Sequence, residues 1–120
     1  MKIAFSTSGN DLNASLDTRF GRAAKFLVYD TETKAFDVID NAQNLNAAQG
    51  AGIQSAQNVA ASGAQALVSG HCGPKAYRVL SAAGIKTYTS NAATVQEALD
   101  QYQAGALTEL KSADVEGHWA

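Results

Sequence analysis

The alternation in the second half of the chain limits the possible folds most. Between residues 64 and 105, short apolar runs alternate with stretches of helical spacing, and each helical stretch ends at a glycine. Residues 64–68 read as a buried strand. Pro74 then opens a helix at a position where its missing N–H costs nothing. Ala76, Tyr77, Leu80 and Ala83 supply the apolar stripe of that helix and Gly84 stops it. Residues 85–88 form the next strand. Thr94-Val95-Gln96-Glu97 has the pattern of a capping box, in which the Thr hydroxyl accepts from the Glu N–H and the Glu side chain reaches back. Val95, Ala98, Leu99 and Tyr102 line the following helix, and Gly105 closes it. Strands separated by helices in this way imply parallel pairing through right-handed crossovers.

The first half adds a hairpin. Ile3-Ala4-Phe5 is a short buried strand, and residues 26–29 and 35–39 are two more, joined by the polar connection 30–34. A helix over about 49–62 buries Ile53, Ala56, Val59 and Ala60 and stops at Gly63. Two loops stand out. Residues 6–24 form a connection longer than most, and such loops often carry function. The Phe20 that it places between Arg19 and Arg22 argues for an ordered path. Residues 41–52 are rich in Asn, Gln and Gly and suggest a second loop that is mobile or ligand-facing.

The element order is therefore β-β-β-α-β-α-β-α. Its simplest assembly is an α/β fold with a mixed five-stranded sheet, order 3-2-1-4-5. Strand 2 is antiparallel and helices lie on both faces, which is the ribonuclease H-like topology. A chain of 120 residues suits one domain, read here as residues 1–110 with a polar C-terminal tail, 111–120. Alanine accounts for 24 residues, so helices and sheet must approach closely to fill the core.

Charge and cysteine content narrow the function. Nine Lys and Arg stand against eleven Asp and Glu, which excludes a generally basic nucleic-acid coat. The single cysteine excludes an intrachain disulfide, a zinc ribbon and a four-cysteine iron–sulfur site. No segment approaches the ~18 apolar residues of a membrane span, and the N-terminus turns polar at Ser6. A thiol-bearing chain of this kind is expected in the cytoplasm.

In the expected sheet order, strands 1 and 4 are neighbours whose connections leave in opposite directions. Ligands bind beyond the carboxyl ends of strands at such a switch point. The loop over 6–22 and the turn Ser69-Gly70-His71-Cys72-Gly73 would meet there, and the turn feeds a helix N-terminus that favours anions. Gly70 and Gly73 permit close backbone approach, and Lys75, Arg19 and Arg22 can add positive charge. Cys72 sits where the helix dipole and nearby cations favour a thiolate, a soft ligand suited to Cu(I) or a metal–sulfur species. His71 precedes it, and His118 in the tail is a more distant candidate.

Two enzymatic readings compete. His71-Cys72 followed by Arg78 spells H-C-x5-R, the spacing of cysteine-dependent phosphatases. Yet Lys75 stands where that loop needs glycine, Val79 stands where it has Ser or Thr, and Pro74 removes a loop amide. A metal-dependent nuclease would need a carboxylate in the first strand, which here is Lys2-Ile3-Ala4-Phe5-Ser6. A third alternative is a cofactor-free interaction module, whose hold on a protein partner would survive removal of metal by a chelator.

Several segments taken in order resemble the dinitrogenase iron–molybdenum cofactor biosynthesis family. They are Ser8-Gly9-Asn10, Leu16-Asp17-Thr18-Arg19-Phe20-Gly21-Arg22-Ala23, Gly50-Ala51-Gly52-Ile53, Gly70-x-x-Gly73-Pro74-Lys75-Ala76 and Thr94-Val95-Gln96-Glu97-Ala98-Leu99. The resemblance covers about residues 1–107. It implies a ribonuclease H-like fold and non-catalytic binding of an anionic metal–sulfur cluster. The short stand-alone form is most similar to members that hold a molybdenum–copper sulfide cluster, while others carry iron–molybdenum cofactor or its precursor. Arg19 and Arg22 match the family's Arg-Phe-Gly-Arg motif, with Thr18 where many members have Pro. Gly70, Gly73 and Pro74 match its second glycine loop.

The expected site is therefore Arg19, Phe20, Arg22, Gly70, His71, Gly73 and Lys75, with Phe20 as apolar cover and Cys72 as the candidate direct metal ligand. Its partners would be the cluster and the proteins that donate or receive it, with neither nucleic acid nor membrane. One cysteine cannot ligate a cluster alone, so ionic and hydrogen-bonded capture of a preformed cluster is the expected mode.

Overall fold

The computed structural model describes residues 1–41 and 51–110. The loop expected over 41–52 and the tail expected over 111–120, His118 included, fall largely or wholly outside these residues. Strand β1 runs Lys2–Thr7, β2 Lys25–Asp30 and β3 Phe36–Asp40. Helix α1 (Ala51–Ala61) leads to β4 (Ala66–Ser69), α2 (Pro74–Ala82) to β5 (Lys86–Thr89), and α3 (Val95–Gln103) to β6 (Thr108–Glu109).

The sheet order is β3-β2-β1-β4-β5-β6. Strand β2 is antiparallel to both β1 and β3, whereas β1, β4 and β5 are mutually parallel. The first five strands therefore stand in the expected order, and the sheet has six strands rather than five. The added strand, β6, pairs antiparallel with β5 through Tyr88–Glu109 and Thr89–Thr108. It is two residues long and polar, so it has no apolar signature. Backbone bonds hold it, including Leu110 N–H to the Thr87 carbonyl at 2.8 Å.

Strand alternation divides the core into two layers. Ala4, Phe26, Val28 and Leu67 pack beneath α1 and α2, against Ala56, Val59, Ala76 and Leu80. Ile3, Phe5, Leu27, Ala66 and Val68 pack on the opposite face beneath Val95, Ala98 and Leu99 of α3. Fully buried alanines in both layers allow the close helix–sheet approach that the alanine content implies.

The helix punctuation follows the sequence closely. Gly63, Gly84 and Gly105 all adopt positive φ after their helices (85°, 77° and 72°), a conformation that glycine enters without steric cost. Thr94 caps α3 by accepting from Glu97 N–H at 3.2 Å. The Glu97 carboxylate reaches back to Ala93 N–H, one residue before the cap, at 3.2 Å.

Candidate functional site

The connection after β1 is ordered and pinned at three places. Leu16 bridges Thr7, Ser15 bridges Thr94 at the start of α3, and Arg19 bridges His71 in the turn after β4. The first pin forms because Ser6 and Thr7 turn hydroxyls onto the returning loop. Ser6 Oγ donates to the Asp17 carbonyl at 2.8 Å, and Thr7 Oγ1 donates to the Ser15 carbonyl at 2.7 Å. Ser6 Oγ also lies 2.9 Å from Ser69 Oγ, which joins the ends of β1 and β4 beneath the loops.

The third pin brings the two glycine-bearing segments together. Phe20 N–H donates to the His71 carbonyl at 3.2 Å. Gly70 lies against the backbone of Thr18 so tightly that a Cβ there would stand 2.5 Å from the Thr18 carbonyl oxygen and 2.6 Å from its Cα. Only glycine fits that contact, which explains why the turn carries one at this position.

The Arg19–His71 bridge also sorts the candidate side chains. Alternate residues of paired extended segments point to opposite sides. Phe20 and Cys72 turn inward and are buried, 2% and 1% exposed, in the layer beneath α1 and α2. Phe20 packs there against Phe26, the rings tilted by 41° with centroids 5.2 Å apart. The Cys72 thiol faces the Gly73 carbonyl, with Sγ 3.7 Å from its oxygen. Arg19 and His71 are exposed. Arg22 ends a short 3₁₀ turn, Phe20–Arg22, and is half-buried, while Lys75 is exposed in the first turn of α2. That helix starts at Gly73 with no side-chain cap and with Pro74 at its first position.

The sequence-derived positions are thus brought to one corner of the sheet, at the switch point, but they divide there. Phe20 supports the loop from within the core, so the apolar cover expected of it faces inward. The phosphatase spacing is not matched by geometry, because the Cys72 sulfur is buried and Arg78 is exposed a turn further along α2. Among the described residues, no group of three or more His, Cys, Asp or Glu side chains could hold a metal ion.

Beside this corner, beyond the carboxyl ends of β4 and β5, opens a cleft of about 490 Å³. Thr18, Gly70 and His71 form one wall, and Thr89, Ser90 and Gln101 stand among the residues opposite. Its lining holds no Lys, Arg, Asp or Glu among the described residues, so the cations lie outside it. Sequence reasoning missed the far wall because its residues come from β5, α3 and β6. The polar pair Ser90-Asn91, directly after a parallel strand, was the available signal. Ser90 is fixed by a bond to Gln101 Oε1 at 2.6 Å and by its N–H to the Ser69 carbonyl at 2.9 Å.

An ordered loop pair at the switch point of a mixed α/β sheet stands where proteins of this architecture commonly place ligands, without pointing to a particular protein. Comparison with known proteins supplies the rest. The profile of the family described as "Dinitrogenase iron-molybdenum cofactor" matches residues 1–105, and the chain belongs to that family. The chain is 38% identical to the orange protein of Desulfovibrio gigas, whose apo structure superposes with a TM-score of 0.91 over 95% of this chain and 96% of that one. A NifB-like protein of Thermotoga, solved by NMR, gives 34% identity and a TM-score of 0.83 over 95% of this chain and 97% of its own. Protein MJ0580 of Methanocaldococcus jannaschii is 32% identical over an alignment of 114 residues that covers 92% of this chain and 92% of that one.

Proposed function

We propose that this chain binds and carries an anionic metal–sulfur cluster without transforming it, and that the cluster sits at the joined loops after β1 and β4. The observation that carries this reading is the interlock at Gly70, which leaves Arg19 and His71 outward while Phe20 and Cys72 anchor the loops inside. Family membership and the similarity to the orange protein support a molybdenum or iron–sulfur type of cargo. Within that class we assign a molybdenum–copper sulfide cluster, with an iron–molybdenum cofactor-type precursor as the second choice.

In this reading Arg19, Arg22 and Lys75 supply positive charge, and Gly70, His71 and Gly73 supply backbone and imidazole contacts. A thiometallate is a polyanion with sulfur acceptors, so guanidinium, ammonium and amide donors suit it. Cys72 supports the turn and is the weakest candidate for a direct ligand, because its sulfur is buried against a carbonyl. The β-β-β-α-β-α-β-α order of the first eight elements supports the ribonuclease H-like label. We assign residues 1–110 to a single cluster-binding domain followed by a tail, 111–120. No helix of the described residues is long and apolar enough to cross a membrane. The proposed setting is the cytoplasm, with protein donors and recipients of the cluster.

The test is retention of a tetrathiomolybdate–copper cluster by variants after anaerobic reconstitution. Arg19→Ala and Arg22→Ala should each release cluster more readily, and added salt should enlarge the loss, because ionic contacts near the surface are screened. Abolition of binding by Cys72→Ser, with both arginine variants unaffected, would overturn ionic capture.

A further inference from the structure

Asn41, directly after β3, is fully buried although its side chain is a primary amide. Both of its Nδ2 hydrogens are used. One bonds the Ala23 carbonyl at 2.8 Å, and the other bonds Ser55 Oγ of α1 at 2.9 Å. Its Oδ1 accepts from Asn58 Nδ2 at 2.7 Å, and its backbone N–H donates to the Ala24 carbonyl at 2.7 Å. Ser55 Oγ in turn reaches the Gly21 carbonyl at 3.5 Å. The bonds from Asn41 and Ser55 thus fall on carbonyls at both sides of one residue, Arg22.

The chemistry of the network follows from that placement. The 3₁₀ turn Phe20–Arg22 satisfies the Phe20 carbonyl through the Ala23 N–H but is too short to reach the carbonyls that follow. A buried carbonyl needs a donor, and a neutral amide can give two hydrogens while accepting at its oxygen. An aspartate of the same shape can give none and would face the Ala23 carbonyl with like charge. An apolar residue would take a donor away from both the Ala23 carbonyl and Ser55 Oγ.

From this geometry we infer that Asn41 is a positioning residue for the anion site: with Ser55 it clamps the backbone around Arg22 and fixes the direction in which that guanidinium is presented. The inference rests on the reading of the loop pair as an anion site. It adds a residue outside both glycine loops and gives α1 a part in the site.

The test uses the full chain with tetrathiomolybdate as the probe anion. Asn41→Asp reverses the donor pattern, and Ser55→Ala is the milder variant that preserves folding if the first does not. Both should weaken tetrathiomolybdate binding by about tenfold, the scale of one unsatisfied buried group. Combining Ser55→Ala with Arg22→Ala should cost little more than Arg22→Ala alone, because Ser55 acts through Arg22. In the absence of anion, amide exchange at Arg22 and Ala23 should speed up relative to the amides of β1 and β4. Additive losses, or exchange that rises uniformly across the sheet with binding unchanged, would overturn the clamp and leave Asn41 a stabiliser of the fold alone. Should the parent chain bind no tetrathiomolybdate, the anion reading fails. The exchange pattern then still decides whether Asn41 and Ser55 hold the Arg22 turn.

Discussion

Gly70→Ala tests the loop interlock directly. The new Cβ would lie 2.5 Å from the Thr18 carbonyl oxygen, 2.6 Å from Thr18 Cα and 2.9 Å from its carbonyl carbon. These are backbone atoms, so no side-chain rotation relieves the overlap, and the two loops must part by roughly 1 Å to reach ordinary contact. Overpacking of this kind costs about 1–3 kcal/mol. Parting the loops also strains the Phe20 N–H bond to the His71 carbonyl, now 3.2 Å, which is worth about 1 kcal/mol. The sum is roughly 2–4 kcal/mol. At about 2.1 cal/mol/K per residue, a chain of 120 residues loses about 4 °C of Tm per kcal/mol, so the melting temperature should fall by about 8–16 °C. Thermal unfolding followed by far-ultraviolet circular dichroism reads this directly, and the folded variant should also retain less tetrathiomolybdate. A drop below about 3 °C would mean that the loops do not pack as described, and the interlock argument would fall with it.

Further expectations concern the supports of the site. Thr94→Ala removes the α3 cap and should cost about 1 kcal/mol in urea unfolding, with the m-value unchanged. Cys72→Ser buries a hydroxyl in an apolar layer and should lower stability by about 1–2 kcal/mol, while the folded variant keeps its cluster. The Asp30 carboxyl is held below its ordinary value of 3.8, chiefly by Glu32 N–H, with Thr33 N–H, the N-terminus and Lys2 adding to the effect and desolvation opposing it. A lowered carboxyl favours the folded state above its unfolded pKa and loses that contribution as pH falls through the folded value. Asp30→Asn should therefore flatten the acid limb of the stability curve, read as urea midpoints taken stepwise below pH ~4.

The first five strands and the three helices are legible because each carries an apolar run or stripe closed by glycine, proline or a capping residue. The positive φ angles at Gly63, Gly84 and Gly105 show why those stops are glycines. Strand β6 carries no such mark, since Thr108 and Glu109 are polar and join the sheet by backbone pairing to β5. At the candidate site, the spacing of Arg19, Phe20, Arg22, Gly70 and Cys72 pointed to two loops that the structure joins, but not to which side chains turn outward. That is decided by the Arg19–His71 bridge, a contact across 52 positions of chain that no local pattern records. Asn41 was hidden for a similar reason. In a polar stretch it reads as loop, and its burial is imposed by carbonyls at Ala23 and Ala24 and hydroxyl and amide groups on α1.

The central claim is that the chain captures a preformed anionic cluster that brings its own sulfur. Anaerobic reconstitution with tetrathiomolybdate and copper(I), followed by desalting, metal analysis and a visible spectrum, tests it most directly. The account predicts a coloured protein with sulfide-to-metal charge-transfer bands and molybdenum and copper in fixed ratio to protein. A colourless protein free of both metals after desalting would contradict it.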